Sequence, residues 1–318
     1  MSDGVIELVD AESGARALVY PALGFNCASF CVTDRGETRD LLWKADGFET
    51  GGARPTSSGI PLLFPFAGRL AGTSFEFQGR TYALLPGDPL GNAIHGFACF
   101  RPWRVVDQSA NRVRGEFRAA DFGQDILAHW PADFRLAADY QVVGSALRLE
   151  LEVENMGAGP LPFGLGAHPY FHLPLGAASQ PDECVVSVPA TSYWELEQML
   201  PTGRKLPLEG ARQLLEGQHF GAMKFDDVLS DLEPTSGRHA ASIVDAAAGR
   251  RVVIEFDPVF RECVVYTPPH RQAVCIEPYT TVPDAFSLTE RGIDVGLLLL
   301  APGQVFRAGF EIRCEALP

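Results

Sequence analysis

One histidine in the chain lies in a sequence setting that holds its ring rigidly at a turn. His168 belongs to the run Gly-Leu-Gly-Ala-His-Pro-Tyr-Phe at 164–171. Pro169 favours an extended backbone for the residue before it, and histidine exchanges protons readily near neutral pH. Tyr170 adds aromatic surface beside the imidazole. The run predicts proton-transfer chemistry on a flat, partly apolar ligand such as a sugar ring.

A second histidine and a glutamate lie in comparable settings. His95 is flanked by Gly96 within Asn-Ala-Ile-His-Gly-Phe, although an isolated histidine in such a place is more often structural than functional. Glu277 follows the apolar run 273–276 and precedes a proline. Partial desolvation at the end of a buried strand raises the pKa of a carboxyl group and makes it a better base near pH 7. The alternative for Glu277 is a strand-end side chain that faces water.

Three further charged residues are candidates for ligand binding. Arg69 ends an apolar, proline-containing segment, where a guanidinium can donate to ligand hydroxyls in a fixed fork. It could equally be a surface arginine whose stem covers apolar area. Asp226 and Asp227 form an acidic pair on a predicted loop, and such pairs are most often solvated turns. His172 lies four positions after His168, but that spacing indicates a metal site only on a helix, so we predict no metal site.

Alternation with a period of two dominates the elements that must position these residues. Apolar and charged side chains alternate from 146 to 154 and again from 306 to 315, as in half-buried antiparallel strands. Only 125–129 and 284–290 resemble short helices, and 32 glycines and 24 prolines interrupt the chain at strand-like intervals. We predict an all-β protein, one large antiparallel β-sandwich domain over 1–318 with few short helices. A long irregular segment, 49–72, lies over it, and long loops of this kind are usually functional.

Composition limits the classes of partner and the cellular compartment. A net charge of −14 and a pI near 4.9 argue against nucleic-acid or anionic-membrane partners, which favour basic surfaces. The apolar run around 297–301 is too short to span a bilayer, and the N-terminus lacks a signal-peptide pattern. The seven cysteines are scattered and form no Cys-x-x-Cys pair. Buried reduced thiols, and hence a cytoplasmic protein, are the simplest expectation.

Taken together and in order, several segments resemble the aldose 1-epimerase (galactose mutarotase-like) family. His-Pro-Tyr-Phe is fairly specific by itself, and the ordered set is much more so. The matching segments are 65–69, 94–97, 168–171, 200–203, 225–227 and 275–278. The family fold is a large antiparallel β-sandwich with its sugar site in an open cleft on one sheet, in agreement with the alternation.

The resemblance implies a specific role for each candidate residue of an aldose 1-epimerase (mutarotase). Glu277 would be the general base that takes the proton of the anomeric hydroxyl. His168 would be the general acid that protonates the ring oxygen, on the opposite side of the ring, and His95 would hydrogen-bond that same oxygen. The remaining predicted contacts bind the sugar: Arg69, Tyr170 and either Asp226 or Asp227.

The implied enzyme is an isomerase that needs no metal or other cofactor and takes a small aldose as its partner. The family often has asparagine directly before the arginine, and Gly68 stands there in this chain, which leaves the sugar preference open. The oligomeric state is also open.

Three alternatives remain at this stage. A mutarotase for a hexose 6-phosphate or another anionic sugar requires additional cations at the cleft. Arg54, Arg101 and Arg104 are available for that purpose. A non-catalytic carbohydrate-binding or sugar-sensing protein on the same fold would lack the acid–base pair. A two-carboxylate glycosidase would have to use Asp226 or Asp227 as its second carboxylate.

Overall fold

The alternating segments form antiparallel strands in a computed structural model, which describes residues 4–34 and 36–317. Within those ranges there are 27 strands and two short α-helices. The strands are β1 (Ile6–Val9), β2 (Arg16–Tyr20), β3 (Asn26–Asp34), β4 (Glu37–Asp40), β5 (Leu62–Leu63), β6 (Arg69–Leu70), β7 (Ser74–Phe77), β8 (Arg80–Ala83), β9 (Ala93–Ile94), β10 (Arg104–Gln108), β11 (Arg112–Arg118), β12 (Phe134–Val143), β13 (Ala146–Asn155), β14 (Leu161–Phe163), β15 (Gly166–Ala167), β16 (Tyr170–His172), β17 (Val185–Ser187), β18 (Ala190–Glu197), β19 (Leu200–Pro207), β20 (Gln218–His219), β21 (Asp226–Leu232), β22 (His239–Asp245), β23 (Arg250–Phe256), β24 (Glu262–Tyr266), β25 (Ala273–Tyr279), β26 (Leu298–Leu300) and β27 (Val305–Ala316).

The helices are short and lie between the strands. The α-helices are α1 (Gln124–Leu127) and α2 (Ala285–Glu290). The 3-10 helices are Pro21–Leu23, Phe48–Thr50, Pro55–Ser57, Ala98–Phe100, Ala119–Phe122, Pro181–Glu183, Gly210–Arg212 and Phe220–Ala222. Both α-helices lie where the sequence predicts them. None of the helices among the described residues has the length and apolar content needed to span a bilayer.

Two large antiparallel sheets dominate the architecture. The first has nine strands in the order β10-β11-β12-β13-β27-β23-β22-β17-β20. The second has eight strands: β19-β18-β21-β24-β25-β15-β5 in order, with β16 also paired to β25. Leu149 and Phe310 of the first sheet share one buried cluster with Val265 and Ile276 of the second. The fold is therefore the predicted large antiparallel β-sandwich.

Smaller sheets complete the molecule. Strands β1 to β4 form a four-stranded sheet, and the pairs β14–β26, β6–β9 and β7–β8 form two-stranded ribbons. The turn at Gln78 and Gly79 joins β7 to β8. All seven cysteines are free thiols, five of them buried, in agreement with the sequence.

Strand β25 shows how the eight-stranded sheet separates the core from a second, outer face. Val274 and Ile276 point into the core between the sheets. The alternate residues Cys275 and Tyr279 belong to two smaller clusters on the other side. Because successive side chains of a strand point to opposite faces, Glu277 also lies on this outer face. The candidate site is built there.

Candidate active site

Glu277 is a buried carboxyl group near the end of β25. Its side chain is only 1% exposed, and the hydroxyl of Tyr279 donates a hydrogen bond to Oε2 at 2.7 Å. Tyr279 is two residues further along the strand, so both side chains lie on the same face. One carboxylate oxygen is therefore held by the tyrosine, which leaves Oε1 for another partner.

That other partner is His168, on the bend between β15 and β16. The backbone N–H groups of His168 and Tyr170 donate to the carbonyl oxygens of Pro61 and Gly59, at 3.0 and 2.9 Å. The imidazole stacks on the Tyr170 ring, with 4.7 Å between centroids and 5° between planes. Its Nε2 lies 3.2 Å from Oε1 of Glu277. Carboxyl and imidazole are thus in direct contact rather than separated by the width of a sugar ring.

His95 lies beside His168 on a tight turn. Its backbone has a positive φ of 65°, and its N–H donates to the carbonyl oxygen of Gly68 at 2.9 Å. A Cβ atom at Gly96 would lie 2.1 Å from the carbonyl oxygen of Phe64, so only glycine fits after the histidine. The two imidazoles meet edge to face at 5.7 Å.

Arg69 is held in place by an aspartate that the sequence analysis does not identify. Its Nε donates to Oδ2 of Asp88 at 2.9 Å. Asp88 is itself fixed, because Oδ1 accepts the backbone N–H groups of Leu90 and Asn92 at 2.9 and 2.8 Å. Burial raises the pKa of Asp88, but hydrogen bonds from Asn92 and Arg69 and the Arg69 charge outweigh it and keep that pKa below its usual value. The pair fixes one edge of the guanidinium and leaves the other available to a ligand.

The two adjacent aspartates lie on opposite faces of β21, and the prediction that they occupy a loop is wrong. Asp226 opens the strand and is paired in register with Tyr266. It lines the same cavity as Glu277. The side chain of Asp227 does not line that cavity and forms an ion pair with Arg212. Aspartate is rare in strands, which is why the sequence favours a loop here.

A single cavity of about 220 Å³ brings most of the predicted residues together. Its lining includes six of the seven: Arg69, His95, His168, Tyr170, Asp226 and Glu277. The outer face of the sheet also contributes Val228, Val264 and Tyr266. Thr56 and Ser57 come from the long irregular segment, which therefore forms part of the site. Cavities with a few convergent polar groups are typical of small-molecule sites.

Burial controls the protonation of the central groups. It raises the pKa of Glu277 well above its usual value, while the Tyr279 hydrogen bond and, more weakly, the Arg69 charge oppose the shift. It lowers the pKa of His168 to about 3 and that of His95 well below its usual value. Burial therefore favours the neutral form of the Glu277 carboxyl group and of both imidazoles. Moving the Glu277 proton across the 3.2 Å contact to His168 converts this neutral pair into an ion pair.

One group of side chains in the described part of the chain has the chemistry to hold a metal ion. A ring nitrogen of His168, the sulfur of Cys275 and a carboxylate oxygen of Glu277 all lie within 4.8 Å of one another. Burial raises the pKa of Cys275 and of Glu277, so a metal would have to displace a proton from each.

Gly68, where the resemblance leads one to expect asparagine, is explained by close packing. Its φ is +70°, and a Cβ atom there would lie 2.6 Å from Cγ of Pro283. A side chain at this position would therefore require Pro283 to move.

The three arginines of the anionic-sugar alternative are dispersed: Arg54 lines the cavity, Arg101 does not, and Arg104 pairs with Glu116 at 2.7 Å.

Comparison with known proteins identifies the fold. A family model described as aldose 1-epimerase matches residues 8–313. The protein YphB of Escherichia coli (strain K12) is 26% identical over 308 residues, which cover 90% of this chain and 95% of YphB. A galactose mutarotase-like protein from Clostridium acetobutylicum has a TM-score of 0.86 at 23% identity, with 99% of each chain covered. Galactose 1-epimerase from Lactobacillus acidophilus has a TM-score of 0.75 at 15% identity, with 99% of this chain and 95% of that chain covered. The fold is thus galactose mutarotase-like.

Proposed function

The chain belongs to the aldose 1-epimerase family, and on that premise we propose that it interconverts the α and β anomers of an aldose by acid–base opening and closing of the sugar ring. Glu277 and His168 form the catalytic pair, and His95 is the third catalytic residue, donating a hydrogen bond to the ring oxygen. Arg69, Asp226 and Tyr170 bind the sugar. The reaction needs only proton transfers and the making and breaking of one C–O bond.

The observation that carries the proposal is the 3.2 Å contact between Nε2 of His168 and Oε1 of Glu277 at a cavity wall. The anomeric hydroxyl oxygen and the ring oxygen are bonded to the same carbon. An acid and a base in contact with each other can therefore reach both oxygens, without lying on opposite sides of the ring. A positioned proton transfer contributes about 10²–10⁴-fold in rate.

Ring opening and closing require that Glu277 and His168 together carry one proton. Glu277 passes its proton to His168 as the sugar enters, because the sugar hydroxyls and the Arg69 charge favour the carboxylate. Glu277 then takes the proton of the anomeric hydroxyl, and His168 donates its proton to the ring oxygen. The bond between the anomeric carbon and the ring oxygen breaks, and the open aldehyde forms. Rotation about the adjacent C–C bond and the reverse transfers close the ring on the other face.

Polarimetry tests this function. Freshly dissolved α-glucose or α-galactose should reach its equilibrium rotation faster with the protein than in buffer alone, at a rate proportional to protein concentration. Binding of these sugars without any acceleration would instead support a non-catalytic carbohydrate-binding protein. Acceleration confined to a phosphorylated sugar would support the anionic-sugar alternative.

The rate should show no acidic limb in the usual range of histidine titration. Activity requires one proton on the pair, and burial lowers the pKa of His168 to about 3 and raises that of Glu277. The second proton therefore adds only in strong acid, and the first leaves only well above the ordinary carboxyl range. A pH–kcat/KM profile, corrected for the buffer-catalysed rate, should therefore not fall as the pH is lowered through 6.5. An acidic limb at that pH would contradict this proton assignment.

The aspartate pair offers a matched comparison for sugar binding. Asp226→Asn should raise KM about tenfold, because an amide accepts hydrogen bonds from sugar hydroxyls less strongly than a carboxylate. Asp227→Asn removes a carboxylate of the same length on the opposite face and should leave KM within about twofold. Initial rates over a range of sugar concentrations measure both. Equal effects of the two substitutions would contradict the assignment of Asp226.

A further inference from the structure

A buried thiol lies beside the proposed catalytic pair and plays no part in the reaction described above. Cys275 is two residues before Glu277 on β25, so both side chains lie on the outer face of the sheet. Cys275 is fully buried, between its register partners Tyr170 and Tyr266 on the two neighbouring strands. Its sulfur, a ring nitrogen of His168 and a carboxylate oxygen of Glu277 lie within 4.8 Å of one another. Three different ligand atoms for a metal ion therefore converge on one point.

Two of these three atoms are already spaced as ligands of a single ion. Nε2 of His168 and Oε1 of Glu277 are 3.2 Å apart. Zinc binds imidazole nitrogen and carboxylate oxygen at about 2.0–2.2 Å, and a tetrahedral arrangement then separates the two ligand atoms by about 3.3 Å. A zinc–sulfur bond of about 2.3 Å requires Sγ of Cys275 to approach the other two atoms by at most about 1.2 Å. A partial rotation of the cysteine side chain supplies that movement.

The charges of the three ligands match those of a divalent ion. Zinc with one thiolate, one carboxylate and one neutral imidazole forms a centre without net charge, which reduces the cost of burying it. Burial by itself favours the thiol and the carboxylic acid. A bound dication reverses that preference, because it stabilises both anions and replaces their two protons, which leave with the solvent. The hydrogen bond from Tyr279 to Oε2 keeps the Glu277 carboxylate oriented while Oε1 binds the ion.

We propose that His168, Cys275 and Glu277 form an inhibitory zinc site at the wall of the catalytic cavity, with water as the fourth ligand. His168 and Glu277 line the cavity, so the ion reaches them from solvent. Bound zinc occupies the lone pair of Nε2 and the oxygen Oε1, and neither group can then hold or accept the proton that ring opening requires. The inhibition rests on the proposed mutarotase function, whereas the binding of zinc does not.

The ligand set favours zinc over the hard cations. Mg²⁺ and Ca²⁺ take oxygen ligands, and this group offers only one oxygen donor beside a sulfur and a nitrogen. Zinc accepts all three donor types in one tetrahedral site. The ion acts as an inhibitor and not as a cofactor, because the proton transfers described above need no metal.

Calorimetric titration of the whole protein with ZnCl₂ tests the binding. The parent should bind one ion per chain at this site. Cys275→Ser keeps the size of the side chain but offers a poor zinc ligand, and it should weaken binding at least about tenfold. Glu277→Gln should weaken binding to a similar extent. Cys314→Ser is the control, because Cys314 is a half-buried thiol on β27 of the other large sheet and should not affect this ion.

Cobalt provides a spectroscopic test that needs no substitution at the site. Co²⁺ in place of Zn²⁺ should give a thiolate-to-cobalt charge-transfer band in the parent. The band should persist in Cys314→Ser and disappear in Cys275→Ser. A band that is lost only in Cys314→Ser would mean that the surface thiol holds the ion and that the proposal is wrong.

Polarimetry tests the inhibition. Saturating ZnCl₂ should lower kcat/KM of the parent by about 10²–10⁴-fold, as expected for loss of a positioned proton transfer, and EDTA should restore it. Without zinc, Cys275→Ser should retain kcat/KM within about twofold. It should need at least about tenfold more zinc than the parent for half-inhibition. MgCl₂ at the same concentrations should have no effect on either protein.

Several outcomes would overturn the proposal while leaving the mutarotase function intact. Zinc binding that is unchanged in both Cys275→Ser and Glu277→Gln would show that the ion occupies an adventitious site elsewhere. Equal inhibition by Mg²⁺ would exclude a site that depends on the thiol. Zinc binding without loss of activity would exclude the inhibitory role. If the zinc-free protein accelerates no aldose, the mutarotase function is wrong, and the calorimetric result on zinc binding still stands.

Discussion

Glu277→Gln is expected to lower kcat/KM for anomer interconversion by about 10²–10⁴-fold. The amide keeps the size and most of the hydrogen bonding of the carboxyl group but can neither hold nor accept the transferred proton. Because burial favours the neutral form of the Glu277 carboxyl group, a neutral amide should not unfold the protein. Polarimetry gives the rate, and thermal unfolding followed by circular dichroism checks the fold.

Glu262 provides a matched control for that substitution. It is also 1% exposed and lies on the neighbouring strand β24, but it does not line the cavity. Burial raises its pKa to about 7, and it accepts a hydrogen bond from Nε1 of Trp194 at 3.1 Å. Glu262→Gln should therefore leave the rate within about twofold. If Glu277→Gln were as active as Glu262→Gln, the carboxyl group of Glu277 would not be the base.

His168→Asn should cause a loss of similar size, because asparagine cannot protonate the ring oxygen. His172→Asn is the control: His172 is half-buried on β16 and does not line the cavity. Since Glu277 and His168 share one proton, the double variant should be little slower than either single variant. Polarimetry of the parent protein, Glu277→Gln, His168→Asn and the double variant measures this non-additivity.

Independent effects of the two substitutions would contradict the shared-proton account. A double variant slower by the product of both single losses would mean that each residue acts alone. Full activity in His168→Asn would exclude the imidazole as the acid. Loss of activity in His172→Asn with an intact fold would indicate a role for that histidine outside the cavity.

The strands were predictable because they are half-buried. The period-two pattern at 146–154 and 306–315 corresponds to β13 and β27, whose alternate side chains pack between the sheets. The same pattern distinguishes Asp226 from Asp227 once β21 is known to begin at Asp226. The sequence does not indicate the start of that strand, because two successive acidic residues favour a loop. Asp226 and Asp227 belong to the strand because they pair with β24. Tyr279 could have been found in the same way, because it lies two positions from Glu277 on one face.

Other features of the candidate site depend on contacts between distant parts of the chain. Arg69 donates a hydrogen bond to Asp88, and nothing in the sequence indicates that the loop between them brings the two side chains together. His168 meets Glu277 only because β15 and β16 both pair with β25. The apolar run before Glu277 predicts the direction of its pKa shift, whereas the lowered pKa values of His95 and His168 follow from burial that no local pattern indicates.

Magnetization exchange between the H1 signals of the two anomers, measured at equilibrium, tests the central claim most directly. It detects ring opening and closing itself, without any dependence on how the sugar was dissolved. With the parent protein, the exchange rate between α and β anomers should rise in proportion to protein concentration. With Glu277→Gln or His168→Asn it should stay near the buffer rate. An exchange rate that does not change on adding the parent protein, for any aldose of a broad panel, would contradict the account.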